Sequence, residues 1–223
     1  MKAPGRKTAP SQRRRTSTPR LARGVAAKST SGRVSLRSAT RSDVSTVLGL
    51  IRGIAEYERL AHEVENTEAR LREHGFGSRP IFEAVLAERD GRAVGFALYF
   101  FTFSTFTGRP TLYLEDLFVV PEERRGGIGS QLLARLAQIA IKRKCGRMEW
   151  SVLDWNTPAR DLYFKLGAKA MDAWTVFRMT PEAFGRLARE GVPASSATYR
   201  LRQLAPAVTG PSGAPVARSA SPR

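Results

Sequence analysis

The chain has 223 residues, 42% of them hydrophobic, which is enough to bury a sizeable core within one domain. Its net charge of +17 would favour nucleic-acid binding if the charge lay on the folded part. Residues 1–41 and 195–223 hold 12 and 4 of the 37 basic residues and no acid, so the stretch between them carries 21 basic and 20 acidic residues. Composition therefore excludes a strongly basic folded core. It leaves open a nucleic-acid-associated protein that binds through its basic ends.

The two ends are predicted to be disordered tails. Residues 1–33 consist largely of Lys, Arg, Ser, Thr, Pro and Gly, and residues 192–223 are mostly of the same kind, with prolines at 206, 211, 215 and 222. Segments so poor in large apolar side chains bury too little surface to offset the entropy lost on ordering. The folded domain is therefore expected to span residues 34–191.

A cytoplasmic location is expected. The single cysteine, Cys145, cannot form an internal disulfide, which favours a reducing compartment. No run of about 18 apolar residues is present, so no membrane span is expected. The N-terminus lacks the apolar region of a secretory signal, although its Arg- and Ser-rich, acid-free composition keeps organelle targeting open.

Hydrophobic periodicity predicts the element order β-α-α-β-β-β-α-β-α-β, followed by a final helix. The predicted strands are residues 34–37, 81–88, 93–103, 111–120, 147–153 and 173–179. The predicted helices begin near Ser42, after Thr67, at Ile128, at Pro158 and at Pro181. Asp90-Gly91 between two β-prone runs indicates a hairpin, whereas the strand-helix-strand passage around Gly129 indicates a parallel pair. These elements predict an α/β fold with a mixed sheet.

A glycine-rich turn between the fourth strand and the third helix carries the strongest chemical signal. Main-chain N–H groups at a helix start carry partial positive charge and bind phosphate. Gly127 and Gly129 let an anion approach the main chain, and Arg124 and Arg125 add full charges. The pattern is Arg124-x-x-Gly127-x-Gly129, which differs from both the dinucleotide-binding motif G-x-G-x-x-G and the P-loop ending Gly-Lys-Ser/Thr.

A second signal lies at the start of the next helix, in Asp154-Trp155-Asn156-Thr157-Pro158-Ala159, followed by Tyr163 and Gly167-Ala168. Asparagine is a favoured helix cap, and a tyrosine four residues after Ala159 lies on the same helix face. Taken alone, Tyr163 also fits a core aromatic residue with a hydrogen-bonded hydroxyl.

Together these motifs resemble the acetyl-CoA pyrophosphate loop and the Asn-x-x-Ala, Tyr and Gly-Ala pattern of the GNAT superfamily of N-acetyltransferases. Within it, nearly all of residues 35–184 are similar to the diamine acetyltransferases, the spermidine/spermine N1-acetyltransferase-like branch. The matching stretches are Leu36-Arg37-Ser38-Ala39-Thr40, Tyr57-Glu58, Gly75-Phe76-Gly77, Gly95-Phe96-Ala97-Leu98-Tyr99-Phe100-Phe101-Thr102, Leu112-Tyr113-Leu114-Glu115-Asp116 and Gly127-Ile128-Gly129-Ser130.

The resemblance implies the GNAT fold, with a mixed, mostly antiparallel twisted sheet flanked by helices, and direct acetyl transfer from acetyl-CoA to a primary amine of a small molecule. It also implies a homodimer. The residues implied to bind acetyl-CoA are Leu117, Phe118, Val119, Arg124, Arg125, Gly126, Gly127, Ile128, Gly129, Ser130, Asn156, Thr157, Pro158, Ala159 and Tyr163. Those implied to bind the acceptor are Tyr57, Glu58, Glu115, Asp116, Glu149, Trp150 and Ser151.

Two departures from the branch bear on the acceptor. An acidic pair that the branch carries shortly after Tyr-Glu is Ala61-His62 here, and a basic pair before the last Gly-Ala is reduced to Lys165-Leu166. The first departure removes negative charge from the acceptor side. A diamine, a polyamine, thialysine and a lysine-like amine remain open, as does an amino-acid or protein N-acetyltransferase.

The chemistry of acetyl transfer assigns roles to some of these residues. An amine attacks a thioester only as the neutral base, so a group must take its proton. Glu115 or Asp116 is the candidate. Adjacent strand residues face opposite sides unless a bulge intervenes, so one of the pair is expected to face the acceptor, and Glu115 is favoured. Tyr163 would protonate the leaving thiolate, and main-chain N–H groups near Phe118 and Val119 would stabilise the oxyanion.

Other chemistries find little support in the sequence. With only His62 and His74 elsewhere, Cys145 has no evident partner for a covalent route. The two histidines lack ligand spacing, so no metal site is expected. The aromatic residues Phe100, Phe101, Phe103 and Phe106 are interpreted as core or dimer surface.

Overall fold

The computed structural model describes residues 32–191, so the predictions made for the two tails lie outside the described residues, apart from Gly32 and Arg33. Ten helices and strands follow one another within that range. They are β1 Val34–Ser38, α1 Val44–Tyr57, α2 Glu68–Phe76, β2 Glu83–Arg89, β3 Arg92–Ser104, β4 Arg109–Val119, α3 Ile128–Lys142, β5 Arg147–Trp150, α4 Thr157–Lys165 and α5 Pro181–Glu190. Within this range no helix combines the length and the apolar character that a membrane span requires.

The five strands form one sheet in the order β1-β2-β3-β4-β5. The pairs β1–β2, β2–β3 and β3–β4 are antiparallel, and the pair β4–β5 is parallel. Asp90 and Gly91 connect β2 to β3 with φ of 51° and 75°, the left-handed pair that a tight hairpin requires. The mixed, mostly antiparallel sheet, the hairpin and the parallel pair are thus confirmed.

Each face of the sheet is covered by helices that the sequence predicted. On one face α3 buries Ile128, Leu132 and Leu136 against side chains of β2, β3 and β4. On the other face α1 and α2 form a second apolar cluster with the sheet, in which Val44 and Val47 are buried. The predicted caps also hold, because Thr67 accepts a hydrogen bond from the Arg70 N–H at 3.2 Å at the start of α2.

A β-bulge interrupts β4 at Glu115. Leu98 of β3 pairs with Asp116, but the next residue, Tyr99, pairs with Leu114, so Glu115 is the extra residue. The parallel pairing with β5 also ends at Leu114. Among the described residues, no strand therefore flanks β4 on the β5 side beyond Leu114.

The main-chain groups of β4 that face this open edge follow from the ladder. The Val120 N–H donates to the Val94 carbonyl oxygen at 3.0 Å, so the antiparallel alternation directs the Phe118 and Asp116 main-chain groups towards β3. Leu117 and Val119 then direct theirs towards the open edge. The end of β4 thus offers main-chain donors and acceptors that β5 does not use.

The prediction of a last strand at residues 173–179 is wrong. In the structure this run has no regular secondary structure, and no strand among the described residues pairs with it. A strand depends on ladder hydrogen bonds to a neighbour, so β-prone residues alone do not make one. Large apolar side chains of the run are exposed, with Trp174 at 71% and Phe177 at 91%. The run belongs to a second compact unit that begins at Lys169 and contains α5.

Two strand boundaries also differ from the prediction. The strand expected from residue 81 begins at Glu83, and the strand expected to reach residue 153 ends at Trp150. In both places the apolar run continues past the last residue that has a ladder partner. The early end of β5 coincides with the bulge in β4, where the two strands separate.

Candidate active site

The turn from β4 to α3 is a concave stretch of main chain. After a short 3-10 turn at Pro121–Glu123, Arg125 and Gly127 adopt left-handed φ of 66° and 78°, and Gly127 caps α3. Left-handed residues before a helix start can turn main-chain N–H groups towards one side, which suits an anion. A Cβ at Gly127 would meet nothing within 4 Å, so open space lies beside this residue of the turn.

Other predicted loop residues occupy different environments. Gly126 is exposed, and Gly129 and Ser130 at the start of α3 are half-buried. Ile128 is 1% exposed and its side chain packs in the core, so only its main chain is available to a ligand.

An ion pair that sequence reasoning missed supports this turn. Arg89 at the end of β2 and Glu123 approach to 3.2 Å between Nε and Oε2, with side chains only 10% and 12% exposed. The Arg89 Nη2 atom also lies 3.8 Å from the position a Cβ would take at Gly126. Breaking a buried ion pair strands a charge, typically at about 3–5 kcal/mol, so this pair restrains the turn. The two residues are distant in sequence, and no local sequence pattern predicts the contact.

The two loop arginines differ in where their side chains lie. The Arg124 Nε donates a hydrogen bond of 2.9 Å to the Val119 carbonyl oxygen. Its Cζ lies 4.3 Å from the ring centroid of Tyr57 and 5.4 Å from that of Phe118. The side chain of Arg124 is half-buried, whereas that of Arg125 is exposed.

The start of α4 connects to α1 through one asparagine. The Asn156 Oδ1 accepts from the Ala159 N–H at 3.4 Å, which caps α4 as predicted, and also from the Tyr57 hydroxyl at 3.2 Å. The Tyr57 ring contacts that of Trp155 with centroids 5.7 Å apart. Thr157 and Pro158 in the first turn of α4 are exposed, and Ala159 is half-buried. Asn156 therefore joins the helix that carries Tyr163 to the end of α1.

Tyr163 projects from α4 into a partly buried environment. Its ring packs edge-on against that of Trp150, with centroids 5.1 Å apart. Burial and the charge of Glu58 raise the pKa of the hydroxyl above its usual value near 10. The group is therefore protonated at any physiological pH and can act as a proton donor.

Carboxylates gather near the bulge. Burial, with smaller contributions from Glu115 and Glu58, raises the pKa of Asp116 to about 6. Burial also raises the pKa of Glu58, whereas Glu115 is exposed. Both Asp116 and Tyr163 are perturbed by the charge of Glu58, so these three groups share one region. The half-buried Asp116, rather than Glu115, has the properties of a base tuned near neutrality.

The predicted acceptor residues of β5 are less closely associated with this region. Trp150 contacts Tyr163, but Glu149 forms an ion pair with Arg147 at 2.9 Å between Oε1 and Nε. Ser151 lies beyond the strand, and its Oγ is 3.1 Å from the Tyr113 hydroxyl. Of the three predicted acceptor residues of this segment, Trp150 therefore packs against Tyr163, while Glu149 and Ser151 have other partners.

Comparisons with known proteins agree with this arrangement. Residues 50–168 match the acetyltransferase (GNAT) family. The chain is 40% identical over 166 residues to thialysine N-epsilon-acetyltransferase of Sus scrofa, a match covering 70% of this chain and 97% of that protein. It is 36% identical over 157 residues to spermidine/spermine N(1)-acetyltransferase-like protein 1 of Homo sapiens, covering 66% of this chain and 22% of that protein.

Among solved structures, the integron cassette protein VCH_CASS6 from the mobile metagenome of V.cholerae superposes with a TM-score of 0.60 at 24% identity. That match covers 70% of this chain and 98% of the other, and it supports the fold. The sheet topology, the glycine-rich turn before α3 and the match over residues 50–168 all indicate the same family. The chain belongs to the GNAT acetyltransferase family, in its diamine acetyltransferase branch, and is an acetyl-CoA-dependent N-acetyltransferase.

Proposed function

We propose that the acceptor is the terminal primary amine of a short cationic molecule, either thialysine, a lysine-like amino acid or a short diamine. The observation that carries this proposal is the group of carboxylates around the bulge, in which the charges of Glu58 and Glu115 act on Asp116 and that of Glu58 also acts on Tyr163. Negative charge in a partly buried site attracts a cationic amine and holds it beside the group that takes its proton. Tyr57 would form the aromatic side of the same site.

A short acceptor fits the distribution of acids better than a long polyamine does. The acidic pair of the branch is replaced by Ala61-His62, which lies in the 3-10 turn Ala61–Glu63 after α1. The His62 side chain is 75% exposed there and approaches only Glu63, at 3.9 Å. A long polyamine would benefit from a second anionic group at a distance from the reacting end. The similarity to an enzyme named for thialysine agrees with the shorter acceptor.

The amides of residues 124–130 are proposed to bind the diphosphate of acetyl-CoA, which supplies the thioester. The open edge of β4 offers the N–H groups of Leu117 and Val119 to a developing oxyanion. The sequence-based proposal named Phe118 and Val119, but the ladder directs the Phe118 N–H towards β3. A preorganised donor of this kind is typically worth about 3 kcal/mol.

Proton transfer is proposed to run from the amine to Asp116 and from Tyr163 to the departing thiolate. Asp116 is ionised above about pH 6 and can then accept a proton, directly or through a water molecule. Glu115, exposed at the bulge, is assigned electrostatic attraction of the acceptor. This assignment reverses the preference for Glu115 made from the sequence, because burial raises the pKa of Asp116 to about 6 whereas Glu115 is exposed.

The pH profile of kcat/KM distinguishes the two acids. We expect wild-type activity to fall as pH drops through about 6, because protonated Asp116 cannot act as a base. Asp116→Asn should lower kcat about 100-fold or more. The matched control Glu115→Gln should mainly raise the acceptor KM and keep the acidic limb. A normal turnover in Asp116→Asn, together with a large loss in Glu115→Gln, would assign the base to Glu115 instead.

The acceptor itself is tested by release of free CoA with a panel of amines. We expect thialysine, lysine, ornithine and short diamines to give the highest kcat/KM, and spermine to give a lower one, because Ala61-His62 replaces the acidic pair of the branch. An amino-acid α-amine and a peptide N-terminus serve as negative controls. Preference for spermine or for the peptide would contradict the proposal.

The assembly and location are also proposed. We propose a twofold homodimer, supported by the exposed aromatic side chains of Phe103 and Phe106 at the end of the β3–β4 hairpin. We propose a cytoplasmic location, supported by the single, half-buried and unbridged Cys145. Binding of nucleic acid through the basic tails concerns residues outside the described range.

A further inference from the structure

We infer that the Arg124 side chain positions Tyr57 for the acceptor, and that Arg125, rather than Arg124, supplies the side-chain charge for the phosphate groups. This inference rests on the proposed function, because it takes Tyr57 as part of the acceptor site. It reassigns Arg124, which the motif alone indicates to be a phosphate ligand.

The Arg124 side chain makes three contacts. Its Nε is fixed on the Val119 carbonyl oxygen at 2.9 Å, and its guanidinium lies over the Tyr57 ring at 4.3 Å. The Phe118 ring lies on a further side at 5.4 Å. A guanidinium within about 6 Å of an aromatic centroid is attracted to the ring face, more strongly when water is excluded. These three contacts hold the side chain against α1 and the end of β4.

Tyr57 is held from two directions. Its ring faces Arg124, and its hydroxyl donates to the Asn156 Oδ1 at 3.2 Å. The Trp155 ring adds a contact at 5.7 Å between centroids. Removing Arg124 leaves the hydroxyl bond but frees one side of the ring, so the orientation of Tyr57 is less restricted.

The next residue, Arg125, differs from Arg124 in its exposure. Arg125 is exposed and lies within the turn itself, where its φ of 66° is left-handed, so its charge is accessible to an anion that binds there. Arg124 contributes its main chain to the same turn, but its charge faces an aromatic ring. Two neighbouring arginines of one motif therefore serve opposite sides of the active site. The Arg124–Tyr57–Asn156 contacts also connect the phosphate-binding turn to the helix that carries Tyr163.

The test compares Arg124→Met with the matched control Arg125→Met, since each removes one charge and keeps a side chain of similar length. CoA affinity is measured by calorimetry, and the acceptor KM and kcat are measured with thialysine and a short diamine. We expect Arg124→Met to raise the acceptor KM about tenfold and to change the CoA Kd less than about threefold. We expect Arg125→Met to show the reverse, and Arg124→Lys to restore part of the acceptor KM because its cation can still lie over the ring.

The result that overturns the inference is a rise in CoA Kd in Arg124→Met as large as in Arg125→Met, with the acceptor KM unchanged. If thermal unfolding shows that Arg124→Met has lost its fold, Arg124→Gln and Arg124→Lys are judged by the same two constants. Failure of the proposed function is a separate outcome, in which the wild-type enzyme acetylates none of the amines. In that case the CoA affinities still test the inference. A loss of CoA affinity in Arg124→Met as large as that in Arg125→Met overturns it, and this comparison needs no acceptor.

Discussion

Replacing Tyr163 with phenylalanine is expected to lower kcat about 100-fold or more while leaving the affinity for acetyl-CoA nearly unchanged. The hydroxyl is the only group removed, and the ring keeps its edge-on contact with Trp150. Burial and the nearby charge of Glu58 keep the hydroxyl protonated, so the wild-type enzyme has a proton to donate when the thiolate leaves. Steady-state kinetics and calorimetric titration with CoA measure the two quantities separately.

The control for this variant is Tyr99→Phe. Tyr99 is 2% exposed and its hydroxyl donates to the Glu83 Oε2 at 2.9 Å on β2. Loss of that hydrogen bond is expected to lower stability while turnover stays close to wild type. If Tyr163→Phe retained full turnover, the acid would have to be another group or the solvent, and Tyr163 would be left with a packing role.

Gly127→Asp is expected to weaken CoA binding about 100-fold or more. The new side chain would enter the open space beside this residue of the turn and set a carboxylate against the diphosphate, where like charges cost several kcal/mol. The fold should tolerate the change, since a Cβ there meets nothing within 4 Å and aspartate accepts left-handed φ better than most residues. Calorimetry on the folded variant measures the loss.

Gly108→Asp is the matched control for the glycine variant. Gly108 has a left-handed φ of 61°, a Cβ there would also meet nothing within 4 Å, and it lies in the β3–β4 hairpin at the opposite end of β4. It therefore carries the same backbone strain and the same added charge without access to the loop. Equal CoA affinity in the two variants would contradict a phosphate site at Gly127.

The parts of the fold that the sequence predicted are those governed by local rules. The stripe of Ile128, Leu132 and Leu136 follows from helical spacing, and the hairpin at Asp90-Gly91 follows from turn chemistry. The same rules located the glycine-rich turn before α3 and the Asn156 cap, because both depend on neighbours in sequence.

The parts that the sequence did not predict depend on contacts between distant residues. The extra residue at Glu115 exists only relative to the register of β3, and so the burial of Asp116 beside it was not foreseen. The Arg89–Glu123 pair and the packing of Arg124 on Tyr57 likewise join segments far apart in the chain. The strand expected at residues 173–179 failed for the complementary reason, since its residue types were suitable but it has no ladder partner among the described residues.

The raised pKa of the half-buried Asp116 links the proposed base to the stability of the fold. An unfolded chain releases the proton of an aspartate near pH 4, whereas the folded protein retains it up to about pH 6. Between these values the native state binds the extra proton, so this group's contribution to the free energy of unfolding falls as pH rises through that window and stays low above it. The proposed base is therefore ionised only at pH values where its burial lowers the free energy of unfolding.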